Sequence, residues 1–83
     1  MRTVAVFQSL WTMKMGGKFV TPSEGQFLRW LRACDWDEKI FNRAFDFLLT
    51  KKWMLKSADH AIRYFGATLL RFTAERDEMA VAA

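Results

Sequence analysis

Apolar side chains recur along most of this chain at helical rather than strand spacing. Between Val4 and Met15, Phe7, Leu10 and Trp11 fit the i, i+3, i+4 step that gathers residues on one helix face. Val4 and Val6 alternate as in a strand, but Ser9 and Leu10 break that period. Gly16-Gly17 predicts the end of this first helix, because paired glycines supply the left-handed backbone that a helix C-terminus takes. A second helix is expected from Pro22 to about Cys34. Thr21 is its candidate cap, Pro22 its first helical residue and Glu24 the acidic partner three residues past the cap. The pattern turns Phe27, Leu28, Leu31 and Cys34 inward and Arg29 and Arg32 outward. Gly25 weakens this helix by about 1 kcal/mol relative to Ala.

Asp35 and Glu38 repeat the capping spacing and predict a third helix reaching about Lys51. Phe41, Ala44, Phe45 and Leu48 form its apolar stripe, and Lys39, Asn42, Arg43 and Asp46 its polar face. A basic, aromatic connector follows, Lys51 to Lys56. Ser57 is the expected cap of a last helix whose Ile62, Phe65, Leu69 and Phe72 repeat in 3-4-3 steps. Ala58 and Ala61 permit close approach at its start, and Gly66 marks tight contact in its middle. From Ala74 the periodicity fades, so a frayed tail is expected from about residue 77. These elements predict an all-α fold over residues 1–83, a compact single-domain bundle of about four short helices. The competing outline is winged-helix-like, pairing Lys18–Val20 with Trp53–Lys56 in a minimal β-ribbon.

Composition narrows the function classes. Eighty-three residues with 52% hydrophobic and 16% aromatic content form one folding domain. Eight Phe, four Trp and one Tyr are more large rings than so small a core readily hides, so one or two are expected at the surface as a contact site. No stretch approaches the roughly 18–20 apolar residues of a membrane span, and no secretory leader is read at the N-terminus. One cysteine, Cys34, precludes an intramolecular disulfide and suits a reducing compartment. The expectation is a cytoplasmic protein without membrane attachment. The first helix carries only Arg2 and Lys14 as flanking charge, too little for a lipid surface.

Catalytic and metal chemistry find no motif. His60 is the only histidine, and no third group near it or Cys34 completes a nucleophile–base set. Asp35, Asp37 and Glu38 are explained by a helix N-terminus, where negative charge is stabilising. Nucleotide-loop and metalloprotease signatures are absent, and one His with one Cys falls short of a zinc site. The reading is therefore non-enzymatic, without metal or cofactor.

A net charge of +4 favours acidic partners. Trp30, Phe47 and Trp53 lie off the apolar stripes, and Trp and Arg are enriched at interface hot spots. The candidate partner-binding surface is Arg29, Trp30 and Arg32 with Lys51, Lys52, Trp53 and Lys56. It would engage a protein or nucleoprotein partner with an acidic surface, or bury its aromatics against a second copy in a homodimer. A small chain without chemistry can act by occupying a partner's site, which suggests a regulator or inhibitor such as a phage or mobile-element accessory protein. The alternative is a helix-turn-helix or winged-helix DNA-binding regulator. There Asn42 and Arg43 on the third helix would read the major groove, Lys39 with Arg29, Arg32, Lys51, Lys52 and Lys56 would hold phosphates, and Trp53 would stack on a base. Against it stand three carboxylates at that helix's N-terminus, and Asp46, placed to occupy Arg43.

Overall fold

The computed structural model describes residues 4–82. Four α-helices follow one another: α1 (Val4–Lys14), α2 (Glu24–Ala33), α3 (Glu38–Thr50) and α4 (Ala58–Ala82), with a 3₁₀ turn at Lys52–Met54 between the last two. The fold is the expected all-α bundle. Among the described residues there is no strand, so the ribbon of the winged-helix alternative does not form. Lys18–Val20 is a loop and Trp53 sits in the 3₁₀ turn.

The helix boundaries correct the expected caps. Ser23, not Thr21, caps α2: its backbone is extended (φ −66°, ψ 161°) and its Oγ accepts from the Gln26 N–H. Ser is the stronger N-cap, and Gln26 supplies the third-position residue of the box. The Thr21 hydroxyl instead meets that of Thr12. Pro22 therefore lies just outside α2, buried, at the position that staples to Phe27.

Asp37, not Asp35, caps α3, its Oδ1 accepting from the Lys39 and Ile40 N–H groups at 3.0 and 3.3 Å. Asp35 belongs to the end of α2. The Trp36 N–H donates to the Leu31 carbonyl and the Asp35 N–H to that of Arg32, the paired bonds of a Schellman motif. Asp35 takes the left-handed conformation this requires (φ 55°), and Trp36 follows at φ 58°. Asp accepts that region more readily than most residues because its short polar chain bonds locally.

Gly16 and Gly17 end α1 at φ 55° and 54°, as expected. Ser57 caps α4 as expected, accepting from the His60 N–H. His60 Nδ1 in turn accepts from the Lys56 N–H, so the chain's one histidine completes a helix cap. α4 extends to Ala82, and its Arg76 reaches back to the α2–α3 turn.

The core is aromatic. Trp11 stacks on Trp30 at 5.8 Å and meets Phe27, Phe45 and Phe65 at tilted or edge-on angles. Phe65 of α4 lies 4.6 Å from Trp30 and 5.1 Å from Phe41. Offset and edge-to-face pairs of this kind add about 0.5–1.5 kcal/mol each beyond area burial. At Gly66 α4 comes close to α2: a Cβ there would lie 3.4 Å from the Trp30 Nε1, in contact with it. α2 thus packs between α1 and α4, while α3 lies along α4.

Candidate interaction surface

Trp30 is not a surface residue. It is 5% exposed and enclosed by Trp11, Phe27 and Phe65, which removes it from the expected contact set. With Phe27, Leu31 and Cys34 it completes one i, i+3, i+4, i+7 face, and Leu28 is the half-buried neighbour. Phe47 is half-buried. Its ring lies parallel to Tyr64, with Arg71 and Lys51 over it at 5.1 and 5.8 Å. Of the off-stripe aromatics, Trp53 alone stands in solvent, 81% exposed.

The turn that carries Trp53 is ordered. The Met54 N–H donates to Lys51 O and the Leu55 N–H to Lys52 O, and Leu55 is buried beneath. Lys51, Lys52 and Lys56 flank the indole in sequence. Lys52 Nζ donates to the Lys14 carbonyl at 3.1 Å, satisfying an orphan acceptor at the C-terminus of α1 and drawing Lys14 to the same end of the bundle. Sequence reasoning missed Lys14, because the contact spans 38 residues and follows no local period. The ion pairs seen among the described residues engage Arg43 and Arg76 and none of these lysines.

Arg29 and Arg32 are exposed on α2 as expected. No hydrogen bond, ion pair or ring contact among the described residues joins them to the lysines of the turn.

The third-helix residues are divided. Lys39 is exposed and lines a shallow groove with Trp36, Asp37 and Glu38. Asn42 is half-buried. Arg43 lies in a second groove of about 450 Å³ between α3 and α4, with Asp46, Phe47, Thr50, Arg71, Phe72 and Glu75. Its guanidinium stacks on Phe72 at 4.1 Å and pairs with Glu75 at 3.7 Å, so Glu75 rather than Asp46 is its acidic partner.

At the α2–α3 turn, Arg76 donates to the Cys34 carbonyl, Asp35 and Asp37, and also to Asp77. Asp35 and Asp77 foremost raise the pKa of its guanidinium further, keeping it charged at any working pH. Burial pushes the Cys34 thiol up, away from the thiolate that reactivity needs. No group of three or more His, Cys, Asp or Glu among the described residues is placed to hold a metal ion, and no described helix is long and apolar enough to cross a membrane.

No family model matches the chain, and comparison with curated proteins and with solved structures finds no match to it.

Proposed function

We propose that this all-α bundle is a non-enzymatic binding module that docks on an acidic macromolecular partner through the Trp53 turn, and that it regulates or inhibits by occupying the partner's site. One observation carries the reading: the 81% exposed Trp53 is flanked in sequence by Lys51, Lys52 and Lys56, Lys52 reaches the Lys14 carbonyl, and no ion pair among the described residues engages these lysines. An ordered aromatic with an uncompensated basic rim has no role in the core and suits an acidic surface.

Support for the third-helix DNA reading is weaker. Arg43 is held by Phe72 and Glu75, and Asp35, Asp37 and Glu38 crowd the end of α3 that would enter a groove. The test is titration against three polyanions: poly-L-glutamate, heparin and a 20-nucleotide oligomer. Binding to at least one should be abolished by joint reversal of Lys51, Lys52 and Lys56 to Glu, and should survive Arg43→Ala. No binding to any of them at low salt, or binding indifferent to the reversal, overturns the reading.

A further inference from the structure

The distribution of charge around Trp53 is uneven enough to identify the kind of polyanion. Residues 12–22 and 47–58 carry Lys14, Lys18, Lys51, Lys52 and Lys56, with no Asp, Glu or Arg among them. The Lys52–Lys14 bond brings the two segments to one end of the bundle. Of thirteen basic residues in the chain these are five; the remaining eight are outnumbered by nine acids. In sequence the positive excess therefore falls within these two segments, the second of which Asp46 and Asp59 border.

We infer that this end binds single-stranded nucleic acid, with the Trp53 indole as a stacking platform for one unpaired base and the surrounding lysines as contacts to the phosphates on either side. The inference rests on the proposed docking role of the same surface and names its partner. Three features favour this occupant over an acidic protein or a duplex. First, the lysines flanking Trp53 are point charges that hold phosphates without fixed geometry, which suits a flexible strand. The arginines lie outside both segments in sequence, and Arg71 joins Lys51 over the Phe47 ring.

Second, Trp53 has no ring partner and no hydrogen bond among the described residues, so its π-face is open. The two grooves described above are lined by other residues, so Trp53 is offered as a platform and not as a plug beside a pocket. Base stacking on such a platform is tolerant of sequence. Third, paired bases in a duplex do not present their faces, whereas unpaired bases do. The turn beneath Trp53 is already hydrogen-bonded and anchored by buried Leu55, so little order has to be gained on binding.

Fluorescence anisotropy with labelled 15-nucleotide oligo-dT and oligo-U tests this, beside a hairpin duplex and poly-L-glutamate of matched charge. The single strands should bind at least fivefold tighter than the duplex or the polypeptide. With three to five phosphate contacts, affinity should fall roughly twentyfold to one-hundredfold between 50 and 200 mM salt. Trp53→Ala should weaken single-strand binding about fivefold or more, and Trp53→Phe should retain most of it. An unchanged thermal melt of Trp53→Ala shows that the loss is local.

A duplex preference, or single-strand binding unmoved by Trp53→Ala, overturns the inference. Equal binding of poly-L-glutamate that depends on the lysines and not on Trp53 also overturns it while leaving the docking role intact. No binding to any probe overturns both.

Discussion

The Arg76 guanidinium donates to the Asp35 carboxylate at 2.8 Å across 41 residues of sequence. The same side chain donates to the Cys34 carbonyl and to Asp37. One arginine thus gathers the end of α2, the cap of α3 and the distal part of α4. α4 beyond Phe72 has few buried side chains of its own, since Ala74, Glu75 and Asp77–Val81 are exposed. Arg76 is thus the main tie between this part of α4 and the rest of the bundle. Arg76→Ala should release the distal part of α4 while the aromatic core persists. Amide hydrogen exchange should show protection lost at residues 74–82 and retained in α2 and α3. Uniform loss of protection, or none, contradicts this arrangement.

Asp37 gives the same junction a pH dependence. The Ile40 N–H foremost, and then Arg76 and Lys39, hold its carboxyl below the ordinary range. A carboxyl depressed in the folded state stabilises the fold at pH values above its unfolded pKa, and that contribution is lost as pH falls through the lower, folded value. Near neutrality Asp37 should therefore contribute in full and the melting temperature should not vary with pH on its account, whereas below about pH 4 it should decline. Asp37→Asn should start from a lower melting temperature and show a shallower acid decline. Parallel slopes in melts between pH 2 and 7 would remove Asp37 from the account.

Trp30 and Trp53 should separate cleanly in unfolding experiments. Trp30→Ala empties the space between Trp11, Phe27 and Phe65 and should cost about 3–5 kcal/mol. Trp53→Ala removes an exposed ring and should stay within about 0.5 kcal/mol of the parent. Urea titrations followed by circular dichroism measure both. A costly Trp53→Ala would mean that the indole is structural.

That contrast shows what the sequence made legible. The stripes of α3 and α4 were readable because Phe41, Ala44, Phe45 and Leu48, and Phe65, Leu69 and Phe72, each face one packed side at helical spacing. α2 was misread although its signal was present, since Phe27, Trp30, Leu31 and Cys34 make a full i, i+3, i+4, i+7 set. Taking Leu28 instead of Trp30 rotates the inferred face by about 40°. The caps slipped by two residues because Thr21 and Asp35 can also cap. Which one does was decided by a hydroxyl pair with Thr12 and by a Schellman turn, both beyond local spacing. The exposed Trp53 was foreseeable from the surplus of rings. The gathering of Lys14 with Lys52 was not, because only the folded chain brings α1 to the 3₁₀ turn.

Gly66 offers a test of the α2–α4 approach. Its missing Cβ would sit at ordinary contact distance, 3.4 Å, from the Trp30 indole nitrogen. Gly66→Ala should therefore keep most of the roughly 1 kcal/mol that Ala gains over Gly inside a helix. Gly66→Leu has no room beside Trp30 and should destabilise by about 1–3 kcal/mol. Opposite signs for the two variants in chemical denaturation would confirm the spacing. Stabilisation by Leu would mean that α4 stands farther from α2.

Cys34 reports on the same packing without any substitution. Its thiol is fully buried, donates weakly to the Leu31 carbonyl at 3.5 Å, and is kept protonated by burial. Disulfide exchange requires an accessible thiolate, so both conditions oppose reaction in the folded chain. A chromogenic disulfide reagent should therefore find no thiol under native conditions and one per chain in denaturant. Arg76 donates to the Cys34 carbonyl, so loosening the clamp should also raise the frequency with which this turn opens. Arg76→Ala should then react faster than the parent at equal pH, with the rate still far below that of the unfolded chain. A parent protein that reacts at the unfolded rate would place Cys34 at the surface and overturn the packing of α2. Equal slow rates in both proteins would mean that thiol exposure requires global unfolding and not local opening of the Asp35–Arg76 junction.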